Sequence, residues 1–210
     1  MKIAGTWSLV VVACALAGVY GAAHAASVDI QVFGQDGKAL PEAVVFLESR
    51  DARAAVKPLA GSEIAQVDKQ FVPRVSVVPV GTAVQFPNRD KVRHHVYSFS
   101  PAKTFDLKLY IGTPANPVVF ERSGVAVLGC NIHDKMVAWV VVVETPYFGR
   151  TDAQGRLRLD NVPPGSYQLR TWHADLPVGA AAAEQALAVG AHGAAATARL
   201  PVSAGAGAGG

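Results

Sequence analysis

Val125-Ala126-Val127-Leu128-Gly129-Cys130-Asn131-Ile132-His133-Asp134-Lys135-Met136-Val137-Ala138-Trp139-Val140-Val141-Val142-Val143 runs from strand to loop to strand. Its first four residues are apolar and β-prone and feed into Gly129. Val137 to Val143 is a continuous apolar run of the kind a buried central strand shows. The short polar loop between them carries a thiol, an imidazole and a thioether in the spacing C-x2-H-x2-M.

The same β grammar extends outward. Upstream, Val75 to Val78, Ala83 to Phe86, His95 to Phe99 and Pro117 to Phe120 read as strands, punctuated at Val80-Gly81-Thr82, Pro87 to Asp90 and Ser123-Gly124. Further out, Val28 to Val32 alternates apolar and polar, Gln35 to Lys38 makes a turn, and Ala43 to Leu47 is a second strand. Residues 49–66 are polar without a period and read as a loop. Downstream, Thr151 to Arg156 and Val162 to Tyr167 are turns, with strands at Leu157 to Leu159 and Gln168 to Trp172. Glu184 to Val189 and Thr197 to Val202 read as a last hairpin across Gly190 to Gly193, and 204–210 as a flexible Gly/Ala tail. Many short strands with regular turns, and no tandem repeat, imply an all-β sandwich.

Bulk properties narrow the function. Half of the 210 residues are hydrophobic and 17% are charged, enough for a packed core. A formal charge of +3 with no basic stripe and interleaved aromatics argues against nucleic acid as a partner. The N-terminus reads as a secretory signal over 1–25: Lys2, then an apolar stretch from Ile3 to Tyr20, then Ala23-His24-Ala25 before Ala26. That implies a periplasmic location and no membrane span after signal removal. A retained anchor lacks a positive stop-transfer flank. A lipoprotein attached through Cys14 is a minor alternative, because the apolar run continues past that cysteine.

Signal removal leaves Cys130 and Met136 as the one cysteine and one methionine of the mature chain. A lone cysteine in an oxidising compartment cannot staple its own fold. Taken singly, a buried Cys is a small hydrophobe, a Met is core filler, and a His is a hydrogen-bonder. Together in one loop they are a ligand set that needs a second imidazole. Asn88 to Val96 offers His94 or His95 at the start of a strand. Adjacent strand residues point to opposite faces, so only one of the two reaches the loop. Two imidazoles, a thiolate and a weak axial thioether suit a single copper ion in both oxidation states. Structural zinc takes four Cys or His ligands and not Met. A Cys–His nucleophilic pair leaves Met136 unexplained.

Residues 68–144 resemble a cupredoxin, the small blue-copper fold of the amicyanin and plastocyanin kind. The resemblance rests on Pro79-Val80-Gly81-Thr82-Ala83-Val84-Gln85-Phe86-Pro87-Asn88, then His94, then Phe120 through Val143. It extends to bacterial proteins labelled methylamine utilization proteins. It implies a Greek-key β-sandwich and one type 1 copper held by His94, Cys130, His133 and Met136. It also implies a one-electron carrier, not an enzyme, that docks a dehydrogenase or a cytochrome c-type partner. The chain departs from the family pattern at His95, where an Asn braces the copper loop, and at Asn131, where Ser or Thr is common. Copper delivery or storage, and a non-redox interaction module, are the competing functions. Arg89, Lys91 and Arg93 read as a solvated basic loop, His173 and His192 as surface groups, and Tyr97, Tyr110 and Trp139 as core or near-core aromatics.

The flanks resemble a carboxypeptidase-regulatory-like (prealbumin-type) β-sandwich, on Val28 to Leu40 with Ala43 to Leu47, and on Thr151 to Leu159 with Val162 to Tyr167. The resemblance implies a discontinuous domain, 26–50 plus 146–203, with a cupredoxin domain at 51–145 inserted in it.

Overall fold

The computed structural model describes residues 26–204, so the leader at 1–25, the Cys14 alternative and the tail from 205 lie outside the described residues. In chain order the elements are β1 (Ala26–Phe33), β2 (Val44–Glu48), α1 (Arg50–Ala55), β3 (Ser62–Glu63), β4 (Ala65–Val67) and β5 (Gln70–Val72). Next come β6 (Val75–Pro79), β7 (Thr82–Gln85), β8 (His94–Ser100), β9 (Lys103–Tyr110), β10 (Val118–Phe120), β11 (Gly124–Gly129) and β12 (Val137–Val143). β13 (Phe148–Arg150), β14 (Arg156–Val162), β15 (Gly165–Trp172), β16 (Ala183–Val189) and β17 (Ala194–Arg199) complete the chain. No helix among the described residues is long and apolar enough to cross a membrane.

Both ends of the chain build the first sandwich. β1 pairs antiparallel with β14 and parallel with β17, giving a three-stranded sheet. β13, β2, β15 and β16 form the facing four-stranded sheet. Period-2 alternation drives the packing: Val28, Ile30 and Val32 on β1 point inward, as do Val45 and Leu47 of β2 and Tyr167 and Leu169 of β15 from the facing sheet. Each fully buried Val or Leu side chain contributes about 1.5–3 kcal/mol.

The middle of the chain builds the second sandwich. One sheet orders β10-β7-β3, the other β6-β12-β11-β8-β9. β8 and β11 lie side by side, although the chain visits β10 in the opposite sheet between them, a Greek-key crossing. Val96, Ala126, Leu128, Ala138 and Val140 point inward from the large sheet onto Phe86 and Phe120. The molecule is therefore an all-β protein of sandwich architecture. Across β6, β12 and β11 the outer face of the large sheet is also apolar, and its Val77, Val125 and Trp139 pack against the core of the first sandwich.

Three local readings change. The segment taken as loop contains α1, capped by the Ser49 hydroxyl accepting the Ala52 N–H at 3.0 Å, together with β3 and β4. A six-residue helix is too short to show a period. β9 is an edge strand that the sequence reading does not include, although Thr104 to Leu109 alternates polar and apolar as a half-buried strand does. The last two strands do not form a hairpin. β16 pairs with β15 in one sheet, β17 runs parallel to β1 in the other, and Gly190 and Gly193 only bridge the corner.

Candidate metal centre

One end of the second sandwich gathers the polar side chains. β8 and β11 are antiparallel, so the start of β8 lies beside the end of β11. His94 opens β8 with its side chain turned inward and fully buried. Cys130, also buried, follows the last residue of β11. The chain then turns sharply: the His133 N–H reaches the Cys130 carbonyl at 3.4 Å, and the Met136 N–H donates to the His133 carbonyl at 2.9 Å. These turns bring His133 back over the thiol and deliver Met136, buried in the same core as Cys130, to the start of β12.

The Cys130 Sγ lies 4.0 Å from Nδ1 of His94 and 3.8 Å from Nδ1 of His133. Donor atoms of all three residues fall within 4.8 Å of one another, and among the described residues this is the one such cluster of three. An ion about 2.0 Å from each nitrogen and about 2.3 Å from sulfur, with angles near 120°, spaces N and S by about 3.7 Å. The observed spacings match that triangle. A thiolate with two imidazoles fits copper, and Met136 at the loop's end is buried in the same core cluster as Cys130.

Of the two adjacent histidines, His94 faces the thiol. His95 lies on the other face of β8, where its Nε2 pairs with Asp106 on β9 and its ring packs on Tyr97 at 5.4 Å.

Behind His94 stands a carboxylate that sequence reading missed. Asp90 Oδ2 is 2.7 Å from His94 Nε2. Donation of the Nε2 hydrogen to that carboxylate sets the tautomer and leaves the Nδ1 lone pair directed at the metal position. Asp90 is itself clamped from the β4–β5 hairpin, accepting the backbone N–H of Asp68 at 2.7 Å and of Lys69 at 2.9 Å. Both turn residues adopt left-handed backbone, φ 52° and 60°, which points their N–H groups the same way. Burial acts to raise the Asp90 carboxyl, but the Lys69 N–H, the His94 ring and the Asp68 N–H outweigh it and hold it below the ordinary carboxylate range. Asn88 braces the same loop by donating to the carbonyls of Val92 and Tyr110, each at 2.8 Å. The Tyr110 hydroxyl is pushed up to about 12, mainly by burial, with the nearby Cys130 charge adding to it against the Gln66 hydrogen bond. The only sequence signal for Asp90 was its place four residues before His94 in a punctuated loop.

Other candidates fall elsewhere. Arg89 pairs with Glu63, while Lys91 and Arg93 are exposed. His173 is partly buried rather than on the surface, its Nε2 3.2 Å from the Pro41 carbonyl, and His192 is exposed.

No family model and no curated protein matches the chain. Several solved structures are similar to part of it. A copper-containing nitrite reductase from Thermus scotoductus SA-01 is 26% identical, covering 42% of this chain and 23% of that one, with a TM-score of 0.38. The chain thus spans about a quarter of the reductase's length. A purple cupredoxin from Nitrosopumilus maritimus is 26% identical, covering 39% of this chain and 99% of its own, at 0.35. An amicyanin variant in its reduced Cu(I) form is 20% identical, covering 47% of this chain and 98% of its own, at 0.37.

Proposed function

We propose that the second sandwich is a cupredoxin domain holding one mononuclear type 1 copper and that the chain carries single electrons between redox proteins. The observation behind this reading is the convergence of one buried thiol and two Nδ1 atoms at metal-bridging distances. His94, Cys130 and His133 would hold the ion, with Met136 as a fourth, softer donor. Copper supplies the one-electron couple between its Cu(II) and Cu(I) states.

The protein holds everything else still. β8 and β11 fix His94 and Cys130 from a packed sheet, and Asp90 locks the His94 ring. A donor set that does not rearrange on electron arrival keeps transfer fast. His133 is only half-buried and offers the route by which an electron reaches a docked partner, a dehydrogenase or a cytochrome c-type protein. Periplasmic export through residues 1–25 belongs to the same reading. So does a carboxypeptidase-regulatory-like role for the first sandwich, as a platform rather than an enzyme.

The test is the visible spectrum of purified protein loaded with Cu(II). The carrier reading requires an intense thiolate-to-copper band that bleaches reversibly on reduction and is absent from Cys130→Ser. A colourless copper complex, or copper lost to a chelator within minutes, overturns it, the latter in favour of delivery.

A further inference from the structure

Between the two sandwiches lies a cleft of about 860 Å³, within the range of small-molecule sites and at the kind of boundary where they occur. One wall is the outer face of the copper-end sheet. Alternation along β8, β11 and β12 sends Val96, Ala126 and Val140 into the core and turns Tyr97, Val127 and Trp139 outward. An antiparallel sheet whose outer face meets water carries polar residues there. Over β6, β11 and β12 this face is apolar and is continued by Tyr97 and Phe99 of β8, while toward the edge strand β9 it turns polar, with His95 paired to Asp106. Val125, Trp139 and Val141 meet the first sandwich and also line the cleft, where Tyr97, Phe99 and Val127 join them.

The opposite wall brings Phe46 and Trp172 from the first sandwich. At the mouth, Phe99 from β8 and Val178 from the loop after β15 are 77% and 81% exposed, two apolar side chains from different sandwiches lining one opening. Large exposed apolar groups rimming a concave apolar surface mark a binding site. Five of the lining side chains are aromatic rings, which favour a flat, stacked guest over a flexible chain.

The charges add selectivity. Arg53 and Arg170 also line the cleft, but both are neutralised: Glu48 holds them at 3.3 and 2.9 Å, with Glu144 and Glu184 as further partners. Arg122 makes no ion pair and no side-chain hydrogen bond among the described residues, leaving one guanidinium for an acidic guest. We propose that this cleft binds a planar aromatic molecule carrying one acidic group, with its rings among Tyr97, Trp139 and Trp172 and its acid on Arg122. The site stands whether or not the metal reading does, and its test needs no copper.

The probe is 1-anilinonaphthalene-8-sulfonate, titrated into the purified chain with tryptophan excitation. The expected result is a saturable one-to-one signal with energy transfer from the cleft tryptophans, competed by 2-naphthoate. Phe99→Asp and Val178→Asp each weaken binding at least about tenfold. Both positions are exposed, so an unchanged near-ultraviolet circular dichroism spectrum verifies the fold. Arg122→Gln weakens the sulfonate probe about tenfold and leaves the uncharged N-phenyl-1-naphthylamine unchanged. Absence of a one-to-one signal, or binding indifferent to the two mouth variants, overturns the site. An equal effect of Arg122→Gln on both probes overturns the acidic group.

Discussion

Asp152 in the first sandwich and Asp90 in the second each accept two backbone N–H groups, and they use them in opposite ways. Asp152 Oδ1 takes the N–H of Gln154 at 2.9 Å and of Arg156 at 2.8 Å, closing its own turn. Asp90 takes the N–H groups of Asp68 and Lys69 from a hairpin distant in sequence and keeps contact with His94 as well. The first arrangement satisfies a loop locally and makes it autonomous. The second ties three segments together and leaves a buried imidazole aimed at a thiol. Two sandwiches with similar cores thus differ in where their loops spend polar groups. That spending, not the fold, marks the end of the molecule where chemistry sits.

The largest expected effect separates the sandwiches by metal linkage. Copper at about a thousandfold excess over its dissociation constant stabilises the native protein by about 4 kcal/mol. Calorimetry should show that gain as a raised Tm in the native sequence and no gain in Cys130→Ser. An equal gain in both would place copper binding outside the 94–130–133 cluster. Next comes Thr151→Val in the first sandwich. The buried Thr151 hydroxyl accepts the Ala43 N–H at 2.9 Å and donates to the Leu40 carbonyl at 2.7 Å. Leaving both groups unpaired costs about 2–3 kcal/mol in urea unfolding. The copper spectrum should not change, and a colour shift would show that the two sandwiches are coupled.

Asp90→Asn follows. Loss of a carboxylate behind a metal-binding histidine weakens metal affinity about 10- to 100-fold, measurable by chelator competition. Asp152→Asn, with the same count of N–H partners, should leave copper affinity as it was. If both variants behave alike, the contrast between the two carboxylates is wrong.

Legibility followed the same division. Cys130, His133 and Met136 stood out because one short loop holds them and no other residue from 26 onward duplicates the thiol or the thioether. Clean alternation made β1 and β15 readable, but the same pattern in β9 was passed over, because its apolar positions are separated by charges on a water-facing edge. Asp90 was not, because its clamp depends on a turn at Asp68–Lys69 whose left-handed backbone no glycine announces. The sheet membership of β16 and β17 was hidden because a Gly-rich corner between sheets looks like a hairpin turn. The apolar outer face of the copper-end sheet was visible as unbroken hydrophobicity in Val137 to Val143, but a run buried on both sides reads the same whether a protein wall or a guest covers it.

The smallest effect sharpens the comparison at the scale of neighbouring residues. His94 and His95 differ by one step of the strand, and a strand's period of two sends them to opposite faces. His95→Asn removes the pairing with Asp106, a carboxylate about half exposed, and a pair in that setting contributes about 0–1 kcal/mol. Stability should therefore fall by no more than that, and the copper band should keep its position and intensity. Its Nδ1 is buried without a hydrogen-bond partner, a cost the shorter amide side chain relieves, so the net change lies at the low end. His94→Asn, by contrast, should abolish the band. A spectrum that responds equally to both substitutions would mean that the strand register around the centre is other than His94↔Tyr110, and would break the assignment of the second imidazole.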